Sequence, residues 1–366
     1  MPELRRRIGG PPSPENGGHT MKLESHLATI EAGKHLTRSE SESVMEELLT
    51  GHLTDEQIVQ LLSALRDKGE SVDELVGFAT VMRRHAKKAF DEQRIPASEL
   101  VDTCGTGGAS RGTFNISTAA AFVAAGAGVR VAKHGNRSYT SRSGSADVLE
   151  ALGVRVDLAP DRAGDAIDQI GIGFLYAPAA HSAARFAIPA RRRLGGHTIF
   201  NLLGPLTNPA GAGAQVLGVF AAKWVEPMAR ALAELGSHHA FVVHGDDGLG
   251  EISLSGGTLV AQVRGQEAGP PIVNMLHITP EDFGLERAPL EELAGGDPAQ
   301  NAAILRAILQ GERGPRRDIV VANAAAAIVA AGRAAGFREG AQLANKSIDS
   351  RAALEKLLAL IEFTNR

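Results

Sequence analysis

The sequence contains very little cysteine, since Cys104 is the only one among 366 residues. A single thiol excludes a disulfide within the chain, which suits the reducing cytoplasm. We therefore expect a cytoplasmic protein. Cys104 lies beside a glycine-rich run, but the sequence indicates no partner base for it, so a small apolar packing role is favoured over that of a nucleophile.

An excess of positive charge and long apolar runs are also missing. The formal net charge is −4 and charged residues make up 22% of the chain, which argues against a basic surface for nucleic acid or membranes. The longest apolar stretches, around residues 119–131 and 319–331, fall short of the roughly 20 residues of a membrane span. We expect no nucleic-acid partner and no membrane partner.

The first part of the chain is predicted to be a short tail followed by helices. Residues 1–20 are rich in arginine, proline and glycine and lack the apolar run of a secretory signal, so we expect a mobile tail. Residues 21–95 show apolar positions at helical spacing and no strand pattern. This segment is therefore predicted to be a small all-helical domain.

Helix starts and ends can be assigned within residues 21–95. Candidate N-caps are Thr37, Thr54 and Ser71, candidate stops are Gly33, Gly51 and Gly69, and Thr54 and Ser71 begin capping-box patterns. A cationic group closes the segment: Arg83, Arg84, His85, Lys87 and Lys88. We interpret it as a solvated helix face, with attraction of an anionic substrate as the alternative.

Residues 96–366 alternate between strand and helix patterns. Strands are predicted at Val101 and at residues 129–132, 154–158, 173–176, 215–220, 240–243, 252–254 and 258–263. Helices are predicted from Ala119, Ala146 and Asp161, over residues 181–194 and 225–235, and from about Pro298. Such alternation is typical of a large α/β domain with a mostly parallel central sheet and crossover helices.

A glycine-rich run forms the first strand-to-helix turn of this domain. The run Asp-Thr-Cys-Gly-Thr-Gly-Gly covers residues 102–108, and Phe-Asn-Ile-Ser-Thr follows at 114–118. Glycine amides, with Ser117 or Thr118 capping a helix that opens at Ala119, favour a phosphate. A merely tight turn is the alternative. The run fits neither the G-x-G-x-x-G dinucleotide pattern nor the Walker pattern.

Two further polar loops are predicted to reach the same edge of the sheet. Lys-His-Gly-Asn-Arg-Ser at 133–138 follows the strand at 129–132, and residues 143–147 precede the next helix. Ligands of open parallel sheets bind outside the carboxyl ends of the strands, so these loops are expected to face one crevice. Because Lys133 directly follows a strand, a phosphate-binding role is favoured over a solvated surface position.

These blocks together resemble the anthranilate phosphoribosyltransferase family. The likeness includes the runs at 102–108, 114–118 and 133–138, Gly-Ser-Ala-Asp-Val-Leu-Glu at 144–150, Ile-Phe-Asn-Leu-Leu-Gly-Pro-Leu-Thr-Asn-Pro at 199–209 and His244-Gly245. It extends from about residue 21 to the C-terminus. The resemblance implies transfer of a phosphoribosyl group from phosphoribosyl pyrophosphate (PRPP) to anthranilate in tryptophan biosynthesis. It also implies that residues 187–208 cross back to the helical domain, and that a homodimer forms through that domain.

The resemblance further implies a role for each matching residue, with Mg²⁺ as the cofactor. The residues for PRPP and its phosphates are Gly105, Thr106, Gly107, Gly108, Thr113, Asn115, Ser117, Thr118, Lys133 and Ser145. Those for anthranilate are Gly105, His134, Asn136, His181 and Arg191, with a structural role as the alternative for either histidine. Ser117 and Glu251 would contact Mg²⁺. No residue is needed as nucleophile or base, because the amine of anthranilate attacks.

The chain departs from the family pattern at two positions. Ala109 and Gly250 stand where the family usually carries aspartate. Asp246 or Asp247 is a candidate replacement for the missing carboxylates. We predict an active enzyme whose magnesium dependence is altered.

Two other functions are compatible with parts of the sequence. A pyrimidine nucleoside phosphorylase shares the architecture implied by the resemblance, but its Lys-His-Ser before Thr-Gly-Gly is replaced here by Thr-Cys-Gly at 103–105. A non-catalytic, nucleic-acid-binding relative would tolerate the missing carboxylates. The negative net charge and the retained phosphate and anthranilate blocks argue against that alternative.

Overall fold

The N-terminal part of the molecule is helical. The structure, a computed structural model, describes residues 14–90, 94–108, 112–138, 142–266 and 269–366. Its first helices are α1 (Pro14–Glu31), α2 (Arg38–Leu49), α3 (Asp55–Lys68) and α4 (Val72–His85). Helix α1 begins at Pro14, so residues 14–20 are helical. The tail predicted for residues 1–20 therefore ended too late in the sequence. Residues 1–13 lie outside the described residues.

Local sequence sets where these helices begin. Thr37, Thr54 and Ser71 each accept a hydrogen bond from the main-chain N–H of the third helical residue, and that residue's side chain bonds back in a capping box. The predicted caps are therefore confirmed, and the box at Thr37 with Glu40 is an addition. Each such cap contributes about 1 kcal/mol to helix stability.

A mixed sheet forms the centre of the large domain. In the described part of the chain, it is 7-stranded in the order β3-β2-β1-β4-β5-β6-β7. The strands are β1 (Leu100–Gly105), β2 (Arg130–Gly135), β3 (Ile172–Tyr176), β4 (Ala214–Gly218), β5 (His239–Gly245), β6 (Thr258–Arg264) and β7 (Ile272–Ile278). From β3 to β5 all neighbours are parallel, whereas β6 and β7 are antiparallel. The predicted α/β domain with a mostly parallel sheet is confirmed.

Helices pack on both the sheet and one another. They are α5 (Ile116–Gly126), α6 (Ser145–Ala151), α7 (Pro160–Ile170), α8 (Ala177–Ala180), α9 (Ile188–Leu194), α10 (Ile199–Leu203), α11 (Val225–Glu234), α12 (Pro298–Leu309), α13 (Pro315–Ala330), α14 (Phe337–Asp349) and α15 (Ala352–Thr364). The alanine-rich helices α5 and α13 are almost wholly buried and pack against each other. Small side chains let their backbones approach closely, so the core forms around this pair.

Several predicted elements differ in the structure. Residues 154–158 form no strand; Val154 and Val156 alternate because they are buried in the core, without a neighbouring strand. Residues 252–254 form none either, since the N–H of Ile252 bonds to Asn323 of α13. The edge strand β7 was not predicted. Most of its residues are exposed, so its sequence shows no alternation of apolar and polar positions. The helix predicted over 181–194 is divided into a 3₁₀ turn and α9.

The helical domain shares a core with one face of the sheet. Buried side chains of α1 to α4 form one cluster with those of α9 to α11, β4 and β5. Arg83 was expected on a solvated cationic face, but it is half-buried and donates to the carbonyls of Leu206 (2.6 Å) and Leu235 (2.8 Å). It therefore links α4 to the segment at 187–208 and to the end of α11. No helix in the described ranges combines the length and apolar character needed to cross a membrane.

Candidate active site

The carboxyl ends of β1, β2 and β4 open into a cleft of about 590 Å³. The structure brings every residue predicted from the resemblance to its walls. These are Gly105, Thr106, Gly107, Gly108, Thr113, Asn115, Ser117, Thr118, Lys133, His134, Asn136, Ser145, His181, Arg191 and Glu251. Met82, on α4, adds a side chain from the helical domain. Both domains therefore contribute to one site.

The glycine loop is attached to the sheet by its first residue after β1. The main-chain N–H of Thr106 donates to the carbonyl of Gly218 at 2.9 Å, and the Thr106 hydroxyl accepts from the N–H of Phe220 at 3.0 Å. Gly107 and Gly108 have φ of 72° and 81°, which side-chain-bearing residues rarely adopt. Thr106 thus anchors the loop through its backbone and its hydroxyl, and the amides of Gly107 and Gly108 are left to face the cleft.

Helix α5 begins earlier than predicted, at Ile116 rather than Ala119. Ser117 and Thr118 therefore lie in its first turn, and neither is the N-cap; Asn115 is. The hydroxyl of Thr118 is buried and has no hydrogen-bond partner in the described part of the chain. The positive end of α5 nevertheless faces the cleft, an arrangement that favours an anion.

Asn115 joins two segments behind the glycine loop. Its side-chain carbonyl accepts from Ser143 (3.1 Å) and from Asn301 (3.0 Å), and its amide donates to the Ser143 carbonyl (3.1 Å). Asn301 itself, on α12, is buried. The Asn115 amide group is therefore occupied within the protein, and it orients the start of α5. Asn301 was not predicted from the sequence.

Lys133 is a buried residue of β2, and does not follow a strand as predicted. Its Nζ donates to the carbonyl of Thr103 in β1. Burial lowers the pKa of the Lys133 ammonium, and the carboxylates of Asp102 and Glu251 act in the opposite direction. A cation held between the carboxyl ends of two strands is well placed to meet an anion in the cleft.

Asp102 is a fully buried carboxylate that sequence analysis did not select as a site residue. It accepts from the N–H of His134 at 3.0 Å and from the Asn208 amide at 2.8 Å. Burial raises the pKa of Asp102 to about 6, although the Lys133 ammonium opposes the rise. Asp102 thus connects β1, β2 and the segment at 187–208. An acidic residue inside an otherwise apolar strand is the sequence signal that could have identified it.

Two neutral histidines line another wall of the cleft. His134 Nδ1 donates to the carbonyl of Gly204 at 3.1 Å, and its ring centroid lies 5.2 Å from that of His181. Burial lowers the pKa of His134 to about 3 and that of His181 to about 4. Both rings are therefore uncharged near neutral pH, and they provide flat, partly apolar surfaces.

Arg191 faces the same part of the cleft from α9. It is half-buried, and its guanidinium carbon lies 5.3 Å from the centroid of the Phe200 ring. A planar guanidinium beside aromatic and imidazole rings suits an aromatic carboxylate, because it donates two parallel hydrogen bonds.

The loop after β2 is held by its own salt bridges. Arg137 donates to both oxygens of Glu150, at 2.6 and 2.5 Å, and the Ser145 hydroxyl donates to the carbonyl of Asn136 at 3.3 Å. The side-chain carbonyl of Asn136 accepts from the N–H of Arg137 at 2.8 Å. Asn136 and Ser145 are thereby fixed at the cleft wall.

Ser117 and Glu251 lie together, as the resemblance implies for a metal site. Burial raises the pKa of Glu251 to about 7, and the nearby Lys133 ammonium together with the N–H and hydroxyl of Ser117 opposes the rise. No group of three His, Cys, Asp or Glu side chains able to hold a metal occurs in the described segments. One carboxylate and one hydroxyl fit Mg²⁺ when substrate oxygens and water complete its shell.

Asp246 and Asp247 do not replace the missing carboxylates. Asp247 accepts from the hydroxyls of Ser253 (2.5 Å) and Ser255 (2.6 Å), and Asp246 bonds to His277 at 2.9 Å. Neither lies in the wall of the cleft as described. The predicted replacement was wrong, because Asp247 bonds to serines of the loop after β5 and Asp246 bonds to a histidine of β7. Ala109 lies outside the described residues.

Known protein families match nearly the whole chain. The glycosyl transferase family, helical bundle domain, matches residues 25–86, and the glycosyl transferase family, a/b domain, matches residues 97–354. An anthranilate phosphoribosyltransferase of Symbiobacterium thermophilum is 51% identical over 344 residues, which cover 94% of this chain and 98% of that protein. One of Pelotomaculum thermopropionicum is 50% identical over 342 residues, covering 93% and 96%.

Solved structures agree with these matches. The anthranilate phosphoribosyltransferase of Thermus thermophilus superposes with a TM-score of 0.84 at 43% identity, covering 93% of this chain and 99% of that one. The Saccharomyces cerevisiae enzyme in complex with PRPP and Mg superposes with a TM-score of 0.83 at 28% identity, covering 94% and 98%. Sequence, fold and the arrangement of the cleft thus agree, and the chain belongs to the anthranilate phosphoribosyltransferase family.

Proposed function

We propose that this chain transfers the 5-phosphoribosyl group of PRPP to the amine of anthranilate, giving N-(5-phosphoribosyl)anthranilate and pyrophosphate. The observation that carries the proposal is the joint presence in one cleft of the glycine loop, the buried Lys133 and Arg191. Relatives that are 50–51% identical to the chain are named anthranilate phosphoribosyltransferase. Solved yeast structures contain PRPP with Mg in one case and 4-fluoroanthranilate in another.

In this proposal the phosphates of PRPP bind at the glycine loop and the start of α5. The amides of Gly107 and Gly108 at the glycine loop donate to phosphate oxygens, and the Lys133 ammonium offsets their charge. Pyrophosphate leaves the anomeric carbon as the amine nitrogen bonds to it, and the ribose is cationic in the transition state. The nitrogen then releases one proton to solvent to give the secondary amine. Electrostatic stabilisation and alignment then account for the rate enhancement, and no side chain acts as a nucleophile.

Anthranilate binds, in the same proposal, between the histidine wall and α9. The guanidinium of Arg191 takes the carboxylate, and the neutral rings of His134 and His181 contact the aromatic ring. Asn136 contributes an amide from the loop after β2. Because both histidines are uncharged, the carboxylate is directed to Arg191 rather than to the wall.

Ser117 and Glu251 would hold Mg²⁺ at the end of the cleft nearest Lys133. The metal supplies positive charge to the departing pyrophosphate. With glycine at position 250, we propose that magnesium dependence is altered relative to relatives that have aspartate there. A magnesium titration of the initial rate tests this, and a tight response from two metals would contradict it.

Magnesium binding should depend on the protonation of Glu251. The pKa of Glu251 is about 7, so at lower pH a proton competes with Mg²⁺ for its carboxylate. We expect the apparent magnesium affinity to fall with decreasing pH below about 7 and to level off above it. In Glu251→Gln, binding should be weaker and should keep only the pH dependence of PRPP itself. Equal pH profiles for both proteins would show that Glu251 is not a ligand.

Arg191 should determine the KM for anthranilate. Arg191→Ala removes a paired guanidinium–carboxylate contact, worth roughly 2–3 kcal/mol, so we expect KM to rise about 30–150-fold. The KM for PRPP should change little. Arg192 is exposed on the same helix, and Arg192→Ala is the matched control with unchanged kinetics. Similar values for both variants would contradict the assignment.

The proposed reaction is tested by following anthranilate fluorescence with purified protein, PRPP and Mg²⁺. Loss of fluorescence that requires all three supports the proposal. A nucleoside phosphorylase would instead consume a pyrimidine nucleoside with phosphate, and a nucleic-acid-binding relative would leave fluorescence unchanged. Stable fluorescence under these conditions would therefore reject the proposed function.

A homodimer through the helical domain and a cytoplasmic location complete the proposal. Both are supported by the family relationship, and the single cysteine agrees with a reducing compartment. Sedimentation analysis of the purified chain tests the dimer, and a monomer at micromolar concentration would contradict it.

A further inference from the structure

Two aromatic rings lie behind the glycine loop, outside the described cleft wall. The imidazole of His197 and the ring of Phe220 are stacked, with centroids 4.1 Å apart and planes at 17°. We call this pair the aromatic shelf. His197 precedes Thr198, the N-cap residue of α10, and Phe220 follows the end of β4.

The His197 ring lies directly against Gly108. A Cβ on Gly108 would lie 2.5 Å from Nε2 of His197 and closer still to Cε1. The ring is stacked on Phe220 and cannot easily move aside. Gly108 also has a φ of 81°. The imidazole therefore occupies the space beside the α-carbon of Gly108, the loop residue with the positive φ.

The same segments hold Thr106, two residues earlier in the loop. The N–H of Phe220 donates to the Thr106 hydroxyl at 3.0 Å, and the Asn201 amide donates to the Thr106 carbonyl at 3.3 Å. The Asn201 side chain is in turn fixed by the N–H of Thr198 at 3.0 Å. The shelf and its neighbours thus support the glycine loop at both Thr106 and Gly108.

We propose that His197 is a positioning residue for PRPP binding: backed by Phe220, its ring holds Gly108 in the conformation that presents the loop to the phosphates. This inference rests on the proposed function. His197 acts as a flat surface and not as a cation, since burial lowers the pKa of its imidazole and Nδ1 has no hydrogen-bond partner among the described residues. Its contact is with the loop, and it does not touch the substrate.

Kinetics of three variants test the role of the ring. His197→Ala removes a ring stacked on Phe220, so we expect the KM for PRPP to rise roughly 2–12-fold while kcat and the anthranilate KM stay within about twofold. His197→Phe, which keeps a ring on Phe220, should restore the PRPP KM. His277→Ala changes an exposed histidine paired with Asp246 and serves as the control. Equal PRPP KM values for His197→Ala and wild type would overturn the inference.

A second-site experiment keeps the test independent of stability. Gly108→Ala places a methyl group against the ring, so it should weaken PRPP binding strongly. Adding His197→Ala removes the obstacle, and the double variant should bind PRPP better than Gly108→Ala alone. If the fold-losses in PRPP affinity of the two single variants multiply in the double variant, a direct contact between His197 and Gly108 is contradicted.

The proposed function and this inference can fail separately. Isothermal titration with PRPP and Mg²⁺ measures binding without turnover. If the wild type consumes anthranilate and His197→Ala binds PRPP with unchanged affinity, only the positioning role is rejected. Wild type that binds PRPP but leaves anthranilate untouched would reject the proposed reaction, and weaker PRPP binding by His197→Ala would still support the shelf.

Discussion

Lys133→Met is expected to lower kcat/KM by roughly 10²–10³-fold, because it removes the cation between the carboxyl ends of β1 and β2. The variant loses charge compensation for the phosphates and for the leaving pyrophosphate. It also leaves the buried carboxylate of Asp102 without its neighbouring ammonium. A buried charge that loses the opposite charge near it is destabilising, so the thermal midpoint should fall as well.

A double variant separates these two effects. Lys133→Met with Asp102→Asn has neither buried charge, and the amide still offers an oxygen to the N–H of His134, which now bonds to Asp102 at 3.0 Å. We expect its thermal midpoint to recover relative to Lys133→Met, while activity stays low. Thermal unfolding and the anthranilate fluorescence assay measure the two properties on the same samples. Wild-type turnover by the double variant would show that Lys133 has no role in the reaction.

Gly218→Ala should be the most destabilising single substitution in the cleft wall. Gly218 pairs with Gly105 across β1 and β4, and the backbone of Gly250 lies directly above it. A Cβ on Gly218 would lie 2.7 Å from the carbonyl carbon of Gly250 and closer to its oxygen. Backbone must move to relieve this overlap, so we expect a loss of about 3 kcal/mol or more and a lower thermal midpoint.

The same substitution should also reduce activity. Displacing Gly250 moves its neighbour Glu251, and the Gly218 carbonyl accepts the N–H of Thr106 that fixes the glycine loop. Gly204→Ala is the matched control for stability, since Gly204 has φ −49° and nothing lies within 4 Å of its added Cβ. Its midpoint should be unchanged or slightly higher. A Gly218→Ala protein as stable as Gly204→Ala would contradict the close packing.

Features that depend on neighbours in sequence could be predicted. Caps at Thr37, Thr54 and Ser71 need only residues within one helical turn, and all were correct. The glycine loop after β1 could be recognised for the same reason. Element boundaries were less accurate: α5 opens at Ile116, because Ser117 and Thr118 take part in the helix instead of capping it.

Features that depend on distant partners could not be predicted. Asn208 reaches Asp102 from 106 residues away, and Asn301 reaches Asn115 from 186 residues away. Nothing local distinguishes Asn208 or Asn301 from ordinary polar residues. The expected replacement of a missing carboxylate by Asp246 or Asp247 failed similarly, since Ser253, Ser255 and His277 determine where those side chains are held.

The family resemblance indicated His181, Arg191 and Glu251. The amino-acid sequence by itself determined the helix caps, the alternation of strands and helices, and the polar loops at 105–108, 133–138 and 143–145 that reach the cleft. These follow from local hydrogen bonding and from the common direction of parallel strands. The tertiary structure alone decided that Lys133 is buried and bonded to the Thr103 carbonyl, that both cleft histidines are neutral, and that a ring lies against Gly108. Burial and long-range packing set these properties, and both arise only when separate segments come together.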